Sequence, residues 1–459
     1  MKKTGYTTAM TAAISLCVVV QFIPGFPASA EGLGLRATSP AALAAVNQQV
    51  EANLDKWLAF YKTAHAAPEL SLQEEKSAAR LAARFRQNGF DVTERVGGHG
   101  VVAVFKNGDG PTVLIRGDMD ALPIVEDTGL PYASKVKVEI GDGSHVGVMH
   151  ACGHDMHQTV LAATATTLTH LKDHWSGTLV CIAQPAEEIG RGARMMIEDG
   201  LLKRFPMPDR CIALHVSHEM KTGTVGYTPG WVWANVDSVD ITIHGKGGHG
   251  AYPHASIDPI VAAAQTILAL QTIVSRRVNP LDRAVVTVGS VHAGTKHNII
   301  PDTAKLQLTV RTFTDDVRKQ VLDSIRQIVT DTAKATGCPR PPEVIVVEQD
   351  FTPASYNDPE LTRHAVEVFQ QLLGDENVFE RSPSMGGEDF GLFAKTAGVP
   401  GFMFVLGVVD EERFAASQRP GAEPLPTVHS PKFLTDPIPT IRTGVTCMTH
   451  LALSLMDEK

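Results

Sequence analysis

Near residue 235 the hydropathy pattern of this chain changes period, and that change constrains the fold more than any other feature. Val239, Ile241 and Ile243 alternate with Asp240, Thr242 and His244, as in a strand with one buried face. A helical stretch from Asp258 to Arg277 follows, then a strand from Ala284 to Val291, then one in which Leu306, Leu308 and Val310 alternate with polar residues. Val317, Val321, Ile325 and Val329 place one apolar stripe on a second helix, before a strand from Val344 to Val347. Strand–helix–strand–strand–helix–strand over about 115 residues is a complete small α+β unit. The flanking segments read differently. Strands at Val101 to Lys106, Thr112 to Ile115, Thr178 to Ala183 and Cys211 to Val216 are separated by helical stretches. Apolar runs of that kind belong to an α/β core with a largely parallel sheet. The expected architecture is therefore an α/β domain in two pieces, residues 31–233 and 349–459, interrupted by an α+β insertion at 234–348.

Residues 1–30 stand outside that core. Lys2 and Lys3 precede an apolar run from about Thr11 to Ile23, which closes at Ala28-Ser29-Ala30. This is the pattern of a cleaved secretory signal, and the run is shorter than the roughly 20 residues a membrane span needs. Export to a periplasmic or secreted location is expected. Cleavage would remove one of six cysteines and two lysines, taking the formal charge of −9 to −11. An odd cysteine count in an exported protein calls for a free or metal-bound thiol. The acidic balance and the lack of a basic block argue against nucleic acid as a partner.

Two local signals set the helices of the first piece. Ser39-Pro40 precedes an apolar stripe running from Leu43 to Tyr61, with Pro40 at the first helical position. Ser71 and Glu74 have capping-box spacing for a second helix that Gly89 can end.

Polar residues cluster at the expected strand ends, where open α/β sheets place their sites. The clusters are Arg116-Gly117-Asp118-Met119-Asp120, His150-Ala151-Cys152-Gly153-His154-Asp155, Gln184-Pro185-Ala186-Glu187-Glu188, His215, and His429 within Val428 to Pro431. Thiolate, imidazole and carboxylate form a ligand set suited to zinc, and workable for manganese or cobalt. Adjacent Glu187 and Glu188 suit a division in which one binds metal and the other handles protons. Each fragment alone also fits a packed histidine or a solvated helix end; their joint position at strand ends points to a site.

These stretches resemble the amidohydrolase branch of the aminoacylase and glutamate-carboxypeptidase metallopeptidases, the branch with hippurate hydrolases and auxin-conjugate hydrolases. The matching segments are RGDMDALPI from Arg116, GVMHACGHDMHQTVL from Gly147, QPAEEIGRGARMMIEDG from Gln184, GKGGHGAYPH from Gly245, HNIIPDTAKLQLTVRTF from His297, GGEDF from Gly386 and TVHSPKF from Thr427. The resemblance implies a pair of divalent metal ions, zinc or manganese with cobalt workable, held by Cys152, His154, Glu188, His215 and His429. It implies Glu187 as general base and Asp118 as the acidic residue beside the ligands, with Arg116 where other branches carry a metal-binding histidine. The insertion resembles a lid and dimerisation domain, so a homodimer is implied. There His249 would stabilise the oxyanion in the partner subunit's site, while Asn298 and Arg311 would hold the substrate carboxylate. Gly250 departs from the family's usual alanine.

Other roles remain open for some of these residues. Arg311 also fits a strand-surface arginine paired to an aspartate, Asn298 a turn residue, and Gly386-Gly387 a backbone turn. Cys181 and Cys211 read as core packing, and His150 and His157 fit supporting positions behind the ligands. The expected activity is metal-assisted hydrolysis of N-acyl amino acids or related conjugates, with a dipeptidase or carboxypeptidase as the alternative. A non-catalytic metal-binding protein is disfavoured by the presence of Glu187, Glu188 and His249 together. The segment Gly407 to Thr427 reads as a long loop that shapes access or simply crosses the surface.

Overall fold

The computed structural model describes residues 40–457 apart from residue 142; the expected signal segment lies outside the described residues. Helix α1 (Pro40–His65) opens the described residues, and α2 (Glu75–Gln87) follows. Strands β1 (Asp91–Val96), β2 (Gly100–Lys106) and β3 (Thr112–Asp118) lead through a long loop to α3 (His154–His170). Strand β4 (Thr178–Gln184) is buried along its whole length, as its apolar run requires for a strand covered on both faces. Strands β5 (Arg210–Lys221) and β6 (Val225–Tyr227) complete the first piece of the core.

The insertion holds β7 (Asp237–His244), α4 (Pro259–Thr272), β8 (Ala284–Ala293), β9 (Thr303–Thr312), α5 (Asp315–Ala335) and β10 (Glu343–Val346). These strands pair antiparallel in the order β8-β9-β7-β10. The inward residues Val239, Ile241, Ile243, Leu306 and Leu308 pack with the α5 stripe Val317, Val321, Ile325 and Val329 in one core. Asp258 caps α4 by accepting from the Ile260 N–H, and Thr314 caps α5 by accepting from the Val317 N–H. A short ribbon pairs Gly248–His249 with Ile299–Ile300. The helix expected to run to Arg277 changes to a π-turn at Ile273–Arg277.

The chain then returns to the first core with β11 (Val378–Glu380) and β12 (Gly401–Val409), followed by α6 (Glu411–Ser417) and α7 (Pro437–Ser454). The central sheet has eight strands in the order β1-β2-β4-β3-β5-β12-β6-β11. Its middle pairs, β4 with β3, β3 with β5 and β5 with β12, are parallel. No described helix is long and apolar enough to cross a membrane.

Helix α3 carries the site's register. Every residue from His154 to Thr169 is buried, and it packs against α1, α7 and β3. Such burial suits its small side chains, with the hydroxyls of Thr159, Thr166 and Thr167 bonded back to carbonyls four residues earlier. At Gly117 a Cβ would stand 3.2 Å from the His157 carbonyl oxygen and from Leu161, so glycine lets α3 lie close on β3.

Two expectations are corrected. Ser71 and Glu74 form no capping box: α2 begins at Glu75 and Glu74 makes no side-chain cap. Ser71 Oγ instead donates to Asp120 Oδ2 at 2.7 Å, and Glu74 Oε1 accepts from the N–H groups of Leu72 and Ala186. The segment 407–427 is not one loop, because β12 extends to Val409 and α6 follows, capped by Asp410.

Candidate metal centre

Three neighbouring parallel strands deliver the site, two at their ends and β5 from within, since it runs past His215 to Lys221. β3 ends at Asp118 opposite Gln184, the end of β4, and β5 carries His215 opposite Val405. Gly153 has φ +79°, and a Cβ there would lie 2.5 Å from Val216 Cγ2, so glycine alone lets Cys152 and His154 flank this turn. Ala186 adopts φ +51° just before the glutamate pair, held by its N–H to Glu74 Oε1 at 2.8 Å. The Glu188 N–H donates to Asp120 Oδ2 at 2.9 Å. His429 adopts φ +66° and its N–H donates to the Ala151 carbonyl at 2.8 Å. Left-handed backbone at two non-glycine residues costs about 1–3 kcal/mol each and persists where surrounding contacts fix it.

The structure brings together Cys152, His154, His215, Glu187, Glu188 and His429. Their donor atoms fall into overlapping groups, each within 4.8 Å: Cys152 with His154 and His215, Cys152 with Glu188 and His429, and His154 with Glu187 and Glu188. Cys152 Sγ lies 3.5 Å from His215 Nε2, and His429 Nε2 lies 3.4 Å from Glu188 Oε2. His154 Nε2 lies 3.7 Å from Glu188 Oε1 and 3.8 Å from Glu187 Oε2. Two donors each about 2.1 Å from one ion at tetrahedral angles stand roughly 3.4 Å apart. His154 Nδ1 faces Asp120 Oδ1 at 3.4 Å, while His154 Nε2 and Glu188 Oε1 are buried with no hydrogen-bond partner among the described residues.

The imidazoles differ in readiness. His215 Nδ1 donates to the Val216 carbonyl at 2.8 Å, which leaves Nε2 as a lone pair facing Cys152. His157 is fully engaged: Nδ1 donates to Asp118 Oδ1 at 2.6 Å and Nε2 accepts from the Val216 N–H at 3.0 Å. His157 therefore supports rather than ligates, and burial brings its pKa down to about 4. His150 is buried with no hydrogen-bond partner and is also pushed down to about 4 by burial.

Charge in the site explains why cations fit it. Asp118, Glu388 and Asp389 converge on one guanidinium, Arg116, while Asp120, Glu187 and Glu188 gather around His154. Burial and then the Glu388, Glu188, Asp389 and Asp118 carboxylates hold Glu187 well above the usual carboxylate range. Burial and the Glu188, Glu187 and Asp118 charges push the Cys152 thiol up. His154 is raised to about 10: burial opposes its charge, but Asp118, Asp120 and Glu188 outweigh burial. Protons thus collect on these groups, and divalent cations replace protons on thiolate, imidazole and carboxylate donors. The residues present fit a two-metal site.

Arg116 and its partners were not assigned as a unit from sequence. Its Nε donates to Gln184 Oε1 at 2.8 Å, Nη1 to Asp118 Oδ2 at 2.5 Å and Nη2 to Glu388 Oε1 at 2.8 Å. Asp389 accepts from Gln184 Nε2 and from the Ala193 N–H. Although Glu388 and Asp389 lie near Glu187, these bonds engage their oxygens, so Arg116 is the cation of that corner. The available signal was an acidic pair inside GGEDF, flanked by glycines and a phenylalanine.

The lid residues stand elsewhere. His249 and Asn298 are exposed at the ribbon, and no hydrogen bond or ion pair joins them to the cluster among the described residues. His249 Nδ1 accepts from the Ala251 N–H at 3.0 Å, leaving Nε2 as the ring's free donor. The Gly250 N–H donates to the Asn298 carbonyl, and a Cβ at Gly250 would stand 3.2 Å from Asn298 backbone atoms, so glycine permits a closer ribbon here. Arg311 is half-buried, its Nε donating to Thr309 Oγ1. Its Nη1 would meet a Cβ at Gly387 at 3.5 Å, which sets it against the GGEDF loop. It has no ion pair among the described residues, contrary to the surface-pair alternative.

Comparison with known proteins agrees with this geometry. The model for "Peptidase family M20/M25/M40" matches residues 114–425. The chain is 38% identical over 344 residues to N-acetyl-L-cysteine deacetylase of Bacillus subtilis (strain 168), covering 75% of this chain and 78% of that protein. It is 35% identical over 357 residues to IAA-amino acid hydrolase ILR1-like 2 of Arabidopsis thaliana, covering 78% of each. The crystal structure of the YXEP protein of Bacillus subtilis, described as a dinuclear metal-binding peptidase of the M20 family, superposes with a TM-score of 0.71. That match has 31% identity and covers 88% of this chain and 99% of the other. The chain belongs to the M20/M25/M40 peptidase family and is a metal-dependent hydrolase of amide bonds built around a two-metal site.

Proposed function

We propose that this protein removes the acyl group from N-acyl amino acids, working outside the cytoplasm as a homodimer. The observation that carries the reading is the donor cluster itself. Cys152, His154, Glu188, His215 and His429 would hold the two ions, while Glu187 stands at their edge with a raised proton affinity. When bound, such ions polarise a carbonyl and make water acidic near neutral pH. Glu187 takes the proton of the attacking water and returns it to the leaving amine nitrogen. Asp118, pinned between Arg116 and His157, positions the edge of the cluster.

Support for an amino-acid substrate comes from Arg311, a half-buried guanidinium with no carboxylate partner among the described residues. With Asn298 it would hold the free carboxylate. Beside His215 lies a cavity of about 190 Å³ where Val216, Val232, Trp233, Val405 and Val428 give apolar surface for the acyl group, beside polar groups that include Arg381 and Glu219. The amide would then lie between the two anchors.

The homodimer is supported by the lid's surface. Leu268 is 72% exposed, and Val261, Val291 and Ile299 are about half exposed, beside the unpaired edge of β8. Apolar surface next to an open strand edge fits a second copy. His249, with its free Nε2 donor, would serve the partner's site. Export is supported by the pattern of residues 1–30, a charged start, an apolar run and Ala28-Ser29-Ala30. N-terminal sequencing of the secreted form is expected to start at Glu31.

Metal-reconstituted protein is to be assayed on N-acetyl and N-benzoyl amino acids beside unblocked dipeptides. Faster turnover of the acylated substrates is expected. Faster turnover of the dipeptides would replace this reading with a dipeptidase.

A further inference from the structure

On the outer side of α3, the seam between α1 and α2 opens into a groove of about 460 Å³. On α1 it is walled by Lys56, Ala59 and Phe60, and on α2 by Arg80, Ala83 and Arg84. Both sets follow the i, i+3, i+4 spacing that carries the packed apolar seam of an ordinary helix pair. Here alanines leave the seam open and three cations face it, in a chain whose formal charge is −9.

Glu69 and Asp155 act on Arg80 through space, but no acid stands at contact distance from these three cations among the described residues. Arg80 Nη2 donates to the neutral groups Ser77 Oγ at 3.2 Å and Gln158 Oε1 at 3.3 Å, while its Nε is buried with no partner. Arg84 Nη1 donates to Gln87 Oε1 at 3.3 Å. Lys56 Nζ stands 4.9 Å from the Trp57 ring centre, and Arg84 Cζ stands 5.5 Å from the same centre. Both guanidinium carbons lie about 6 Å from the Phe60 ring centre, at 6.0 Å for Arg80 and 5.9 Å for Arg84. None of the three makes an ion pair among the described residues. The acids that act on Arg80 are held away from the cleft: Glu69 accepts from the Lys76 and Ser77 N–H groups, and Asp155 bonds His65. Burial and the neighbouring Arg84 lower the pKa of Lys56, as expected of like charges held together.

We propose that this cleft binds a small phosphate monoester with an apolar substituent. The Arg84 guanidinium and the Lys56 ammonium, with the remaining Nη1 of Arg80, match a dianionic head. Ala59, Ala83 and the Phe60 ring offer the apolar wall for the substituent along this open groove. Binding relieves the mutual repulsion that the empty cleft carries.

The test is calorimetric titration of phenyl phosphate into the metal-loaded enzyme. One saturable site per chain is expected, weakened about tenfold by each of Lys56→Gln and Arg84→Gln. Binding is expected to be lost in the double variant while hydrolytic activity is unchanged, and Arg84→Lys is expected to keep most of it. Inorganic phosphate should bind more weakly than phenyl phosphate, and equal affinity would overturn the apolar wall. Absence of saturable binding, or equal binding in the double variant, would overturn the site. The result is independent of which amide the metal centre cleaves.

Discussion

Arg116 carries its charge into a region with no solvent contact, where Asp118, Glu388 and Asp389 surround it. A buried cation of this kind is costly alone, and so are the carboxylates without it. Arg116→Met removes one side and leaves three acids facing each other. The expected loss is roughly 3–5 kcal/mol of unfolding free energy, read by urea denaturation. Wild-type stability in that variant would show that the network is not structural. Little of this was legible beforehand, because 272 residues separate Arg116 from Glu388. By contrast Cys152, His154, Glu187 and Glu188 stood out, since short motifs at strand ends announce themselves locally. Glu74 misled for the same reason in reverse: its spacing from Ser71 fits a cap, but the Ala186 N–H, 112 residues away, claims its oxygen.

Between elements, the loop preceding the site is tied to the first helix by one histidine. His65 ends α1, and its Nδ1 bonds Asp155 in the first turn of α3 at 2.7 Å, while Nε2 bonds Glu126 at 3.0 Å. Burial opposes its charge, but the two carboxylates prevail and raise its pKa from 6.5 to about 10. A pKa raised on folding gives stability that is full below pH 6.5 and lost as pH climbs through about 10. The wild-type protein is expected to lose a few kcal/mol, on the order of the linkage for such a shift, across that window. His65→Gln should remove that segment of the stability–pH curve. An unchanged curve would mean that His65 is not charged in the fold. The strand and helix order around these contacts was readable from period and composition. β1, with mixed exposed and buried positions, and the π-turn after α4 were not, because each depends on packing rather than on local pattern.

For the whole molecule, a parallel-sheet core gathers the metal donors and an antiparallel insertion carries His249, Asn298 and Arg311. The period change near residue 235 made that division legible, but the chain alone does not bring His249 to the donors. Leu268→Glu places a charge on the exposed face of α4 and is expected to convert a dimer to a monomer in light scattering. Hydrolysis should fall with it while bound metal is retained; a fully active monomer would remove His249 from the reaction. Glu187→Gln in metal-loaded protein tests the core's chemistry most directly, with bound metal and N-acyl amino acid hydrolysis measured on one preparation. Two ions per chain are expected to remain, as a dinuclear site requires. The rate should drop by roughly 10²–10⁴-fold, the share of a general base. Hydrolysis near the wild-type rate with both ions bound would contradict Glu187 as the proton carrier.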